Sequence, residues 1–489
     1  LIRPQDIQPR VSKLHAPAAE PVATREIPLA PPGRFDLLRI PAVRWLLHHR
    51  AFQWTLMTIT LFFFVLAILT GLFGTPVGNK NFSIIFVWIV WWALVIIILV
   101  PFSGRFWCTM CPIPAPGEWV QRRRLVGVRV GRLLTLGRRW PRRFRNIWLQ
   151  NLTFLGVATF SAIILTQPFA TGVVLLLFVL LAFGLSLVYE RRVFCRYLCP
   201  VGGFIGLYSM AAPIELRVKD REVCRLHTDK TCYLGSAEGY GCPWLVFPGS
   251  LERNTYCGLC TECLKTCTLD NIAVNIRPFG ADLLTPARGQ GLDEAYKGCI
   301  MLACALLYSA VLLGPWGWLK DWANMIALDK FVIYTASFLA INLLIVPGLF
   351  YLATWLSRRM AGLDRVSARQ LFVEFSNSLV PLGLAAWIAF SLAFVMVNGS
   401  YAISVLSDPF GWGWDLFGTK HFPWTPVLPD RVPYLQVPIL AFGLASAIYI
   451  GQRVLVRQGV PESQRLLAIL PLATFLTAAT AVLVRLYLG

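Results

Sequence analysis

Nine apolar runs of about 20 residues, separated by polar segments, leave this chain few ways to fold. They lie near residues 53–74, 83–101, 147–166, 170–190, 298–317, 331–356, 371–397, 434–452 and 466–488. A helix of about 20 residues crosses the hydrocarbon layer while satisfying its own backbone hydrogen bonds, so each run predicts a transmembrane helix. Composition agrees: 56% of the 489 residues are hydrophobic and 14% are charged, outside the range of a soluble globular domain. The net charge of +20 then reflects Lys and Arg kept on one side of a membrane, and nucleic-acid binding is not expected. The first fifty residues are polar and Pro-rich, without the apolar core of a signal peptide, and the lack of an initiator Met predicts that further residues precede Leu1.

Charge sorts the connecting segments. Ten arginines lie between Arg122 and Arg145, whereas segments 75–82 and 167–169 carry one Lys between them. Basic segments stay in the cytoplasm, which places the N-terminus inside, the C-terminus outside and residues 191–297 on the cytoplasmic face of a bacterial inner membrane. The same orientation puts "SRRMAGLDR" and "RVLVRQGVPESQR" inside. In the arginine-rich stretch, charges alternate with apolar residues, the pattern of a helix lying on anionic lipid headgroups. Four parts follow: a cytoplasmic segment over 1–50, a four-helix membrane domain over 51–190, a cytoplasmic insert over 191–297 and a C-terminal module of about five helices over 298–489.

Nine of the thirteen cysteines fall between residues 194 and 270. In a reducing compartment, thiols so clustered read as metal ligands and not as disulfides. The run "CGLCTECLKTC" sets Cys257, Cys260, Cys263 and Cys267 at the C-x2-C-x2-C-x3-C spacing of two-cluster ferredoxins. Three thiolates on one tight loop reach three corners of a 4Fe-4S cluster, while the fourth cysteine ligates the other cluster. A zinc knuckle would need two separated CxxC pairs. The open corner calls for a Cys-Pro donor, which "GYGCPW" supplies, so cluster one is Cys242, Cys257, Cys260 and Cys263. Cluster two retains Cys224, Cys232 and Cys267 and lacks one corner. His227 stands three residues after Cys224, where a regular C-x2-C would place its second cysteine, and imidazole is an alternative iron ligand. The other reading is a surface histidine beside a cluster whose fourth ligand comes from elsewhere. Thr268 stands where Pro usually follows the fourth cysteine, which loosens the turn and removes no ligand.

A second set sits at the membrane edge. "CTMCP" (Cys108, Cys111) and "CRYLCP" (Cys195, Cys199) follow the cytoplasmic ends of the second and fourth spans. Three readings stand: a four-thiolate metal site closed between neighbouring helices, thiol-disulfide chemistry, or turns that only end helices. Cys299 and Cys304, five residues apart, face different sides of one helix and read as ordinary buried thiols.

The order of these motifs resembles the membrane polyferredoxins of the NapH, NosR and CcoG type: paired "CTMCP" and "CRYLCPVG" behind transmembrane helices, then the "CGLCTECLKTC" insert. The likeness covers about residues 50–300. It implies two 4Fe-4S clusters and membrane electron transfer, from the quinol pool towards an extracytoplasmic reductase, or a part in oxidase assembly. This sequence departs from the pattern in its first pair, one residue shorter than the usual C-x3-C-P, and in having no flavin-binding domain ahead of the first span. The four spans after residue 330 lie outside the likeness.

None of the histidines, His15, His48, His49, His227 and His421, falls in an expected span, so no haem b is expected. Polar residues within spans are functional candidates, here Glu374, Asn377 and Asn342, with Glu374 placed to reach the cytoplasmic interface. Trp88, Trp91 and Trp92 could line a quinone site or pack against lipid. The aromatic segment 398–433 reads as a docking surface for an extracytoplasmic redox subunit or as an interfacial belt. The expected architecture is an all-α polytopic membrane protein with an inserted small α+β two-cluster ferredoxin-like domain. The expected function is that of an electron-transfer subunit of a respiratory complex, passing electrons between cytoplasm-side 4Fe-4S clusters and quinone or a partner redox subunit. The alternative is a copper-centre assembly or reduction factor using Cys108, Cys111, Cys195 and Cys199. A transporter with regulatory clusters would need polar residues facing a midplane cavity, which the later spans hardly offer.

Overall fold

The computed structural model of the chain describes residues 33–127, 133–286 and 289–488. Among these residues eight helices are long and apolar enough to cross a membrane: Arg50–Phe73, Phe82–Ser103, Pro168–Val188, Leu292–Leu313, Leu328–Met360, Ala368–Asn398, Pro429–Arg457 and Glu462–Leu488. The chain is thus a mostly helical, multi-pass protein. The remaining apolar run, near 147–166, is not one helix but two, Trp148–Thr159 and Ser161–Thr166, parted at Phe160. The Thr159 hydroxyl donates to the Leu155 carbonyl at 2.8 Å, drawing on an acceptor of the helical ladder where the helix ends.

Helices from both halves of the chain share one of the buried cores. Val95, Phe154, Phe204, Ile300, Trp387, Leu440 and Leu483 belong to a single buried cluster, so the helices before and after the cysteine-rich segment pack together. Where Arg50–Phe73 meets Pro168–Val188, a Cβ at Gly71 would lie 2.9 Å from Gly172 Cα, so the approach depends on the absence of side chains. Helix Pro200–Tyr208 lies within the stretch that charge alone assigns to the cytoplasm, yet every residue after Val201 in it is buried, and Phe204, Ile205 and Leu207 join the bundle core.

A three-stranded antiparallel sheet stands beside the bundle, with β1 (Phe35–Asp36), β2 (Ile214–Val218) and β3 (Ile272–Ile276) in the order β1-β3-β2. Ile214 pairs with Ile276 and Val218 with Ile272, while the N-terminal segment adds Phe35 opposite Ile276. Alternation divides the faces. Leu216, Ile272 and Val274 pack with Leu259, Cys263 and Leu264 of the cysteine loop. On the other face Glu215 meets Arg34 at 2.8 Å and Arg277 at 2.7 Å, and Arg217 meets Asp282 at 3.1 Å. Seven cysteines, from Cys224 to Cys267, lie in the connection between β2 and β3.

The arginine-rich stretch corrects the expectation of a surface helix. Its described residues beyond Arg122 hold no α-helix: Arg123 takes a left-handed conformation that ends helix Ala115–Arg122, and Leu136 N and Arg138 N donate to the carbonyls of Leu187 and Val188. Gly137, also at positive φ, and Pro141 suit that extended path and oppose a helix. Residues 128–132 lie outside the described part. Glu374 is half-buried near the end of helix Ala368–Phe375, where its carboxylate accepts from Gln370 Nε2 at 3.2 Å and Gln458 Nε2 at 2.8 Å. Cys299 and Cys304 are fully buried in two different clusters of the bundle.

Candidate metal centres

The membrane-edge cysteines come together. Gly104, at positive φ, ends helix Phe82–Ser103, and a single turn, Trp107–Met110, carries Cys108 inward before Pro112 fixes the exit of Cys111. From the other side, short helix Val193–Tyr197 carries Cys195, and Cys199 caps the N-terminus of Pro200–Tyr208, its sulfur accepting from Gly202 N at 3.2 Å. All four cysteines line one apolar cavity of about 110 Å³, bounded also by Trp91, Trp107, Trp244, Tyr308 and Trp387. The two Cys-Pro turns, far apart in sequence, thus face one cavity.

Side chains hold those turns rigid by taking up their carbonyls. Arg192 Nη1 donates to Cys108 O at 2.8 Å while its other nitrogens grip Glu118, and Thr60 donates to Met110 O. Gln150 Nε2 reaches Cys195 O at 3.2 Å, Thr153 reaches Leu198 O, and buried Lys297 orients Gln150 through its Oε1 at 2.7 Å. Beyond Lys297, Tyr256 donates to Glu294, and burial together with that carboxylate raises the phenol above its ordinary range. Burial also pushes the Cys199 thiol up to about 11 and raises Cys195 and Cys111, with the neighbouring sulfurs adding to the shift. Such thiols are neutral when free, so metal binding must expel their protons.

The second set, Cys242, Cys257, Cys260 and Cys263, lines another cavity beneath β2, with Leu216 and Trp244 in its wall. Leu259 and Thr261 adopt left-handed backbone conformations between the cysteines, which turns the loop tightly around the space. Thr109 Oγ1 holds Gly258 O at 2.8 Å and Arg191 Nη1 holds Cys242 O at 2.6 Å. Burial raises Cys257 to about 11.

Of the third set, Cys224, Cys232 and Cys267 act on one another electrostatically, and Cys232 is pushed up to about 11 by burial and then by the other two sulfurs. Asn271 joins them: its Nδ2 donates to Cys224 Sγ at 3.2 Å and its backbone N–H to Cys267 Sγ at 3.4 Å. His227 is half-buried just past the end of helix Arg221–Leu226, with its backbone N–H on Val223 O.

Among the described residues no three His, Cys, Asp or Glu side chains stand close enough to hold a single metal ion. A mononuclear zinc site gathers its donors around one ion at about 2.0–2.3 Å, whereas a cluster spreads its thiolates over separate irons. Sequence reasoning missed Trp244, Arg105, Arg192, Glu118, Gln150 and Asn271. Arg105 and Arg192, each three residues before the first cysteine of a Cys-Pro pair, carried a local signal.

A family model described as a 4Fe-4S binding domain, Fer4_5, matches two stretches of the chain, residues 84–132 and 171–219. The first contains Cys108 and Cys111, the second Cys195 and Cys199, and both end before Cys224. No curated protein and no solved structure matches the chain. The two matches support an iron-sulfur protein.

Proposed function

We propose that this protein is the membrane-bound iron-sulfur electron-transfer subunit of a respiratory complex, with three cluster sites at the cytoplasmic edge of the inner membrane. The observation that carries the reading is the meeting of the two matched Cys-Pro pairs at one cavity. Cys108, Cys111, Cys195 and Cys199 would hold one cluster, Cys242, Cys257, Cys260 and Cys263 a second, and Cys224, Cys232 and Cys267 with His227 a third within a ferredoxin-like insert. When bound, the clusters supply one-electron chemistry at potentials set by burial and hydrogen bonds to sulfur.

The chain's residues do the rest. Arg192 and Arg105 bring buried positive charge to sites whose thiolates are negative. The aromatic walls keep water from the membrane-edge cysteines, and the cavity between Trp88, Trp91 and Tyr308 gives a quinone ring an apolar bed beside them. Anionic lipids would meet the arginines of segment 122–145, and partner redox subunits would complete transfer to the far side.

Purified protein should contain about twelve irons and as much labile sulfide per chain, with EPR signals on reduction. Zinc without labile sulfide would overturn the reading. For the third site, His227→Cys should keep the iron and alter the reduced EPR spectrum, while His227→Ala should lose that site's signal. Unchanged spectra in both variants would assign the fourth donor elsewhere.

A further inference from the structure

Two of the sites share a wall. Trp244 lines both the membrane-edge cavity and that of Cys242, Cys257, Cys260 and Cys263. It is 3% exposed, and it packs in one cluster with Cys108, Cys195, Cys199 and Cys260. Its Nε1–H, a donor that burial would normally pair, has no partner among the described residues. That nitrogen lies over Gly258, in the loop between Cys257 and Cys260, where a Cβ would fall 2.1 Å away, so only glycine admits the indole.

The Arg105 guanidinium lies 4.3 Å from the centre of the same indole, on its face, with Nε and Nη2 also unpaired. Its charge acts on Cys199 of one site and Cys257 of the other. The backbone fixes the arrangement: Arg192 N donates to Pro243 O at 3.0 Å, and Arg196 donates to the carbonyls of Trp244 and Leu245.

Resting on the iron-sulfur reading above, we propose that Trp244 and Arg105 form the junction through which one electron passes between the membrane-edge site and the Cys242 site. In that step one site is oxidised and the other reduced by a single electron, with no bond made and no proton moved. The indole N–H is held for a hydrogen bond to a sulfur of the Cys242 site, and the guanidinium lends one positive charge to both. Each stabilises the reduced, more negative form, so each raises the potential of the site it faces.

The test is a redox titration followed by EPR on the purified full chain. Trp244→Phe keeps a flat ring and loses the N–H. It should retain its iron and lower the reduction equilibrium constant of the Cys242 site about tenfold, 59 mV for one electron, with the membrane-edge site little changed. Arg105→Gln should lower both sites together. In the wild type, the two reduced sites should broaden each other's EPR signals. Full iron with unchanged potentials in both variants, or no magnetic interaction between the two reduced sites, overturns the junction and leaves the iron-sulfur reading standing. Absence of iron and labile sulfide from the wild type overturns that reading itself. If Trp244→Phe fails to assemble, Arg105→Gln and the wild-type interaction decide.

Discussion

Replacing Cys195 and Cys199 together by alanine should remove about four of about twelve irons per chain and leave the other eight in place. The pair lines the cavity it shares with Cys108 and Cys111, and a site that loses two of four thiolates has no remaining donor with which to close. The seven cysteines between β2 and β3 keep their own loops, tied to the sheet through Leu216, Ile272 and Val274, so their EPR signals should persist. Cys299→Ala is the control: that thiol is fully buried in the bundle, and no other cysteine acts on it. Full iron in the double variant would show that the membrane-edge cysteines hold no cluster. The same variant separates electron carrier from assembly factor. A carrier loses electron flux through its complex at once, whereas an assembly factor leaves flux through preformed enzyme intact and fails only in new metal insertion.

The long apolar helices were legible because a bilayer demands length and hydrophobicity, both visible in single runs such as 466–488. The break at Phe160 was not, since it accompanies a threonine hydroxyl turned back on its own helix and no proline marks it. Helix Pro200–Tyr208 misled for a related reason. A run of nine residues is too short to register as a span, yet Phe204 and Tyr208 bury against Trp387 and Phe154 from distant parts of the chain. In the arginine-rich stretch, charge alternation suggested a helix, but pairing with the end of Pro168–Val188 took the backbone hydrogen bonds of Leu136 and Arg138 instead.

The cysteines themselves marked the candidate sites, since ligand spacing is a local property of the chain. Which pairs meet is not local: Cys108 and Cys195 line one cavity although they come from distant parts of the chain. The groups packed around the candidate sites were hidden for the same reason. Trp244 looks like any tryptophan after a Cys-Pro, until packing brings the Arg105 guanidinium onto its indole between two sets of thiols. The two matched domains shift weight the same way, since they fall on the membrane-edge pairs, which spacing alone left with three readings.

Glu118→Gln should destabilise the protein by about 3–5 kcal/mol, because it leaves the buried Arg192 guanidinium without its counter-charge. Both residues are 4% exposed, and Arg192 meets Glu118 through two nitrogens, one at 2.9 Å. Burial alone would raise the Glu118 carboxyl, but Arg122 and Arg192 hold it at about 2, below its ordinary 4.5. A depressed folded value means that the carboxylate contributes its stability above the unfolded value and loses it only as pH falls through the folded one. The deficit of Glu118→Gln should therefore be constant from about pH 5 to about pH 8 and shrink only in acid. Thermal unfolding in detergent across that range measures it, and a deficit that vanished near neutrality would contradict the ion pair. Adding Arg192→Met should restore most of the loss, since a buried charge pair replaced by apolar groups is often neutral in stability. It should not restore the membrane-edge iron. Arg192 also holds the Cys108 carbonyl at 2.8 Å and acts on Cys195 and Cys260, so the double variant would recover the fold while leaving the first cysteine turn unanchored.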